Sequence, residues 1–161
     1  MSNYTGVWQR VHGEIEHVLM EWDGRPTAAI ARELGQQDFL IWLLWDRAPY
    51  FEVWLTVPLE PLEAKHLADE PRGLLSESVA KFAGRPARLE IFIPDSGNSA
   101  KSISRHEWSV PTAAEGDIAV LAARALAQGL GATALTDEPP PVREALPDVA
   151  RAMALYAATA T

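Results

Sequence analysis

Residues 39–57 constrain the fold more than any other segment, because they place two strand-like patterns on either side of a turn. Residues 39–46 are a nearly continuous apolar run, and residues 50–57 alternate between two faces. One face carries Phe51, Val53, Leu55 and Val57, and the other carries Tyr50, Glu52, Trp54 and Thr56. A period of two indicates a β-strand. The sequence therefore predicts a hairpin whose first strand, apolar on both faces, is central and covered on both sides.

A second hairpin is predicted further along the chain. Residues 88–93 alternate between the apolar Leu89 and Ile91 and the charged Arg88 and Glu90, and residues 95–98 supply turn-forming side chains. The return strand, at about residues 101–110, is polar and less regular, so we expect it at an edge of the sheet.

The remaining segments have apolar residues at steps of three and four, which predicts amphipathic helices. Three of these helices are predicted at residues 4–22, at 62–69 and at about 74–82. A fourth begins with a capping box at 112–115 and ends near Gly129, and a fifth covers residues 142–161. Residues 26–35 fit either a short helix with an Ala-rich inner face or a strand that extends the sheet. The prediction is an α+β fold: an antiparallel sheet of two hairpins, about four to five strands, covered by amphipathic helices, with two C-terminal helices.

Residues 137–141, Asp-Glu-Pro-Pro-Pro, form the one clear linker, since a proline triplet favours extended backbone. The linker separates a single α+β domain, residues 1–136, from a C-terminal helix, residues 142–161. The apolar residues of that helix form a single seam, which can dock on its own domain, on a partner or on a second copy to give a homodimer.

Charge and composition exclude several classes of protein. The chain of 161 residues has 22 acidic and 14 basic residues, a net charge of −8, and it contains no Cys. An acidic chain lacks the excess of Lys and Arg that non-specific nucleic-acid binding requires, so we expect no nucleic acid as a partner. The absence of Cys excludes disulfides, thiolate zinc sites and cysteine nucleophiles. Residues 1–80 carry 13 of the acids and 6 of the bases, so this half would attract a basic partner.

We expect no membrane partner and a cytoplasmic location. The longest apolar run has seven residues, whereas a membrane-spanning helix needs about 20. The first residues lack the basic start and the apolar core of a signal peptide. We also expect no cofactor and no metal, because His12 and His17 are five positions apart in a predicted helix and would point about 140° apart.

The segment His106-Glu107-Trp108 on the polar return strand contains the candidate catalytic residues, His106 and Glu107. His106 and Trp108 share one face of a strand, so a ligand stacked on the indole could meet an imidazole that acts as a base near neutral pH. No nucleophile can be identified by spacing. Together with Trp42 these residues define one functional hypothesis: a small-molecule-binding protein or enzyme with a pocket between sheet and helices.

The aromatic cluster of the first hairpin carries the competing hypothesis. Tyr50 and Trp54 point away from the apolar face, so they are exposed if the sheet has one covered face and belong to the core if it has two. Exposed aromatic rings beside Glu52 and Glu60 would be typical of an interface. We therefore predict a small acidic, non-enzymatic protein-binding module, an adaptor, chaperone or immunity-type inhibitor, that engages a basic protein surface.

No residue motif identifies a family. The order of helices and hairpins, the small size and the acidity resemble secretion-type chaperones and acidic immunity proteins in outline, and such a likeness of shape does not determine function.

Overall fold

The structure, a computed structural model, describes residues 8, 11–22, 24–33, 37–47, 51–69, 79–94, 100–112, 117–132 and 140–159. The chain divides into two compact units, residues 1–110 and residues 111–161. Within the described residues, no helix is long and apolar enough to cross a membrane.

The first unit is built on an antiparallel sheet. Its described strands are β1 (Gly13–Trp22), β2 (Arg25–Glu33), β3 (Asp38–Arg47), β4 (Phe51–Leu59), β5 (Pro86–Pro94) and β6 (Ala100–Ser109). They pair in the order of the sequence, so the sheet is a meander with β1 and β6 at its edges. Helix α1 (Pro61–Asp69) connects β4 to β5. The α+β prediction is confirmed, although the described part of the chain has six strands rather than four or five.

The prediction of a helix over residues 4–22 is wrong for residues 13–22, which form β1. The register of β1 against β2 shifts between Ile15 and His17, and Ile15 and Val18 pair with Ala31 and Ala29. A bulge inserts one extra residue, so two residues three positions apart reach the same face of a strand. The spacing of three that indicated a helix therefore arises from a bulged strand. Residues 26–35, which fitted either element, form β2 as far as Glu33.

Strands β3 and β4, and strands β5 and β6, pair antiparallel where the two hairpins were predicted, while residues 48–50 and the predicted turn residues 95–98 lie outside the described residues. Cross-strand rows define the two faces of the sheet. Directly opposed residues in antiparallel strands point to the same side. Face A contains the row Leu43, Trp54, Glu90 and Arg105, and face B contains the row Trp42, Leu55, Leu89 and His106. Trp54 and Glu90 of face A and Leu55 and Leu89 of face B are all buried, so the central strands are covered on both sides as predicted.

Helix α1 confirms the helix predicted over residues 62–69, and it packs against β3 with Ala64 and Leu67 buried. The backbone N–H of Glu60 donates to the Glu63 carboxylate (2.9 Å), which satisfies an amide at the start of the helix. Of the next predicted helix, over residues 74–82, positions up to 78 lie outside the described residues, and Val79 and Ala80 are helical. Gly84 follows with a φ of 83°, a left-handed conformation that suits glycine.

The second unit contains α2 (Ile118–Ala132) and α3 (Pro140–Thr159), which pack against each other. The Asp117 carboxylate accepts from the backbone N–H of Ala119 (2.8 Å), so Asp117 caps α2, whereas the predicted cap Thr112 lies outside any helix. Helix α2 continues past the predicted end near Gly129. Of the predicted linker, residues 137–139 lie outside the described ones. Its last two prolines begin α3, where a missing N–H costs no hydrogen bond.

Candidate functional site

The polar residue with the least exposure in the described chain is Glu90, which lies on face A of β5 and is 0% exposed. Its two carboxylate oxygens lie 2.7 and 2.9 Å from Nε2 of His12. Ser102 Oγ and Arg105 Nε of the neighbouring β6 donate to the same carboxylate at 2.5 and 2.9 Å. Ser102 and Arg105 lie next to Glu90 because β6 pairs with β5 along face A. His12 belongs to the residues that precede β1.

Glu33 and Arg88 add a second carboxylate and a second guanidinium to these contacts. Glu33, at the end of β2, lies 3.4 Å from Nδ1 of His12 and accepts from Nη2 of Arg88 at 2.7 Å. Arg88 Nε is 3.3 Å from the Glu90 carboxylate. We call His12, Glu33, Arg88, Glu90, Ser102 and Arg105 the Glu90 network.

The electrostatics of the network keep Glu90 ionised. Burial by itself raises the pKa of Glu90, because a buried carboxylate loses its hydration. Hydrogen bonds from His12 and Ser102, together with the positive charges of His12 and Arg88, outweigh burial and hold the pKa below its usual value. The carboxylate is therefore a charged acceptor at neutral pH, as buried charges must be paired to persist.

The network attaches the N-terminal segment to the sheet. The ring of His12 contacts Trp8 and Phe92 at centroid distances of 5.1 and 6.0 Å. Trp8 is buried in the apolar cluster of face A, and its indole Nε1 donates to Thr56 Oγ1 at 3.3 Å. Glu90 has no exposed surface and its oxygens accept from donors of three residues, so the network joins His12 to β5 and β6 and presents no free oxygen of Glu90 to a substrate.

The predicted partner-binding residues do not form one exposed surface. Trp54 is 3% exposed and donates its Nε1 to Glu52 at 3.0 Å, so of the two alternatives for Trp54 the core holds and the exposed interface does not. Face A is covered at this residue, which leaves the indole almost no surface for a partner. Glu52 forms an ion pair with Arg25, Glu60 is exposed at the start of α1, and Tyr50 lies outside the described residues.

Exposed large apolar side chains occur in the described residues on β1, which has two, and singly at Leu62 of α1 and Leu155 of α3. Trp22 is 78% exposed and Met20 is 40% exposed. Glu14 and Glu21 of the same strand are also exposed, and no described residue forms an ion pair with either. We call the exposed residues Glu14, Met20, Glu21 and Trp22 of this edge strand the β1 surface; they are grouped by their exposure and not by a shared face of the strand. The sequence predicted a helix over residues 4–22, so these side chains were not recognised as part of an edge strand. The alternation Glu14-Ile15-Glu16 was the signal for a strand.

The residues proposed for a small-molecule site share a face but are not all neighbours. Leu89 opposes His106 and Ala87 opposes Trp108, which confirms that His106 and Trp108 lie together on face B. Trp42 lies in the same row as His106 with β4 and β5 between them, which places the two about 14 Å apart at the usual strand spacing. A ligand that touched both would have to extend across the sheet.

His106 and Glu107 do not form a catalytic pair, because adjacent strand residues point to opposite faces. Glu107 opposes Arg88 on face A and is exposed. His106 contacts Ser104 Oγ on face B, and burial lowers the pKa of its imidazole, so the ring is neutral at neutral pH. A neutral imidazole beside a hydroxyl can accept a proton from it.

The two edges of the sheet differ in regularity. Strand β1 has three register irregularities along its ten residues. The pairing of β6 with β5 has one, between Ser102 and Ser104, and is uninterrupted from Ser104 to Ser109. Bulges and opposed like charges discourage further strand pairing, whereas a regular edge with opposed charges of opposite sign permits it.

Within the described residues, no group of three or more His, Asp or Glu side chains is arranged to hold a metal ion. Comparisons of the chain with protein-family models, with curated proteins and with solved structures found no match.

Proposed function

We propose that this chain is an acidic protein-binding module that engages a basic partner through the β1 surface. The observation that carries the proposal is the exposure of Trp22 and Met20 on a strand that also presents acidic side chains. Large rigid rings are frequent anchors of protein interfaces, because they bury much area at a small entropic cost.

The charge of β1 supports a basic partner. Its ten residues include three Glu and no Lys or Arg. Of these acids, Glu16 lies 3.7 Å from Arg32, while Glu14 and Glu21 have no ion-pair partner among the described residues. By contrast, Glu52 and Glu63 are already paired with Arg25 and Arg85. Complementary charge mainly raises the rate of association and suppresses wrong partners.

The irregular register of β1 supports recognition through side chains. Its longest stretch without a shift, Gly13 to Ile15, is too short to pair with an added strand. The partner would therefore contact the exposed rings and carboxylates, and the resulting interface would depend on salt.

The test compares affinity purifications from the native cells, at low and at high salt, with three charge versions of the tagged chain and with Trp22→Ala. One is the natural sequence, and one carries Glu14→Lys with Glu21→Lys. The third carries Glu60→Lys with Asp69→Lys, two exposed acids on or beside α1, and is matched in charge change.

We expect a stoichiometric partner with the natural chain and with the α1 pair, and its loss with the β1 pair or with Trp22→Ala. Loss of the partner only with the α1 pair would mean that the partner binds at α1 and not at β1. Capture that none of the variants alters would reject the proposal.

A second function is favoured by the contact between His106 and Ser104 beside Trp108 on face B. We propose as the alternative a small-molecule site at this position, with the neutral imidazole as a base. Small aromatic ligands should then quench tryptophan fluorescence in the natural chain and not in Trp108→Phe. Equal quenching in both would remove this alternative.

A further inference from the structure

The outer edge of β6 has the features of a strand that accepts another strand. Residues 104–109 run in unbroken register with β5, and no other described strand pairs with β6. Arg105 exposes 55% of its side chain, and Glu107 is exposed. Both charged residues lie on face A, while Ser104, His106 and Trp108 lie on face B.

A second copy of the chain can pair antiparallel with this edge only in certain registers. A two-fold axis perpendicular to the sheet keeps face A of both copies on the same side, so opposed residues must share a face. Within residues 104–109, two such registers pair five residues, one centred on His106 and the other on Glu107. The register centred on Glu107 opposes two like charges, which is destabilising.

The register centred on His106 is self-complementary. It places Arg105 of each copy opposite Glu107 of the other, so two pairs of opposite charge form on face A. Ser104 opposes Trp108 on face B, and His106 opposes its own symmetry mate. Opposite charges directly across two strands stabilise the pairing.

We propose that two copies of this chain associate through β6 in the register centred on His106, which forms a continuous twelve-stranded sheet. This goes beyond the proposed function and does not depend on it, because β1 lies at the other edge. Charge separates the two edges: β1 has three Glu and no Lys or Arg and would repel a second β1, whereas β6 carries both signs.

A single cysteine tests the register directly. The chain has no Cys, so His106→Cys contains one thiol, which in a dimer would lie across the interface from its own copy. Opposed Cβ atoms are about 4.5–5.5 Å apart, close enough for a disulfide after a small adjustment. In the control Ser109→Cys, the two thiols are separated by six residues along the strands, about 20 Å, and cannot bond.

We expect copper–phenanthroline oxidation to give a covalent dimer of His106→Cys and none of Ser109→Cys. Equal cross-linking of both variants, or of neither, overturns the proposal. Circular dichroism establishes that each variant is folded.

Sedimentation equilibrium over a range of protein concentrations provides a second test that leaves residue 106 unchanged. The natural chain should dimerise, and Glu107→Arg, which opposes Arg with Arg twice, should raise the dissociation constant about tenfold or more. Asp69→Arg, the same change of charge on α1, should leave the constant within about twofold. A natural chain that stays monomeric at every concentration, or an unchanged constant in Glu107→Arg, rejects the dimer.

Discussion

The two faces of the sheet are both buried but are stabilised by different interactions. Leu89 and Glu90 are neighbours in β5 and both are 0% exposed, yet Leu89 lies among apolar residues of face B and Glu90 lies in a charged network on face A. Apolar burial stabilises without depending on direction or pH. A buried charge stabilises only while every partner is present and in the right protonation state. In the same sheet, the contribution of the Glu90 network to stability therefore depends on pH, and the contribution of Leu89 does not.

Glu90→Gln should cause the largest loss of stability, because it leaves His12, Arg88 and Arg105 without their shared anion. We expect a loss of about 3–5 kcal/mol in the free energy of unfolding, measured by urea denaturation at pH 7. Asp69→Asn, an exposed carboxylate at the end of α1, should change it by less than about 0.5 kcal/mol. A loss below about 1 kcal/mol for Glu90→Gln would show that the network does not stabilise the fold.

Leu55→Ala truncates a side chain that is as completely buried on face B as Glu90 is on face A. The cavity it leaves should cost about 2–5 kcal/mol. This cost should be the same at pH 5 and pH 8, because Leu55 does not titrate and the effect of His106 protonation is common to both chains; urea denaturation at the two pH values measures the difference. A cost that changes with pH would mean that the two faces are not independent.

Acid should weaken face A selectively. The pKa of Glu90 is lower in the folded chain than its ordinary value of 4.5, so the unfolded chain binds a proton first as the pH falls. The contribution of Glu90 is fully present above pH 4.5 and is lost as the pH falls through the folded pKa. Between pH 6 and pH 3 the natural chain should lose stability more steeply than Glu90→Gln, and parallel curves would contradict this.

His106 should give the smallest effect, because it is only half-buried. Burial lowers the pKa of its imidazole from the ordinary 6.5, so unfolding is favoured by protonation once the pH falls below 6.5. Replacing it with Gln should flatten the dependence of stability on pH between 7 and 5. An NMR titration of the natural chain with a midpoint for His106 at or above 6.5 would contradict the assignment.

The elements that could be predicted from the sequence are strands whose apolar and polar residues alternate without a bulge, or whose residues are apolar on both faces. The alternation from Phe51 to Val57 predicted β4, and the apolar run from Phe39 predicted a strand covered on both sides; both are confirmed. Strand β1 was missed because its bulges place Ile15 and Val18 three apart on one face, and a periodicity argument cannot distinguish that spacing from a helix.

The candidate sites were harder to predict for a related reason. Arg88 and Glu90 alternate with apolar residues, which is the pattern of a strand with one face in water. Their neighbours on face A, Trp54 and Phe92, were the available signal that this face is covered and that its charges must be paired. His12 and Glu33 could not be assigned to the network from sequence, because their contacts join segments far apart in the chain.

The contact between His12 and Glu90 joins residues 78 positions apart, which bears on how the chain acquires its structure during synthesis. At a translation rate of about 5–20 residues per second, the ribosome adds Glu90 roughly 4–16 seconds after His12. During this interval the imidazole has no carboxylate from β5 to bind. Residues Trp8 and His12 thus emerge before β5 but can complete their contacts only after it, and a nascent chain paused before residue 90 would leave Trp8 accessible to a chaperone.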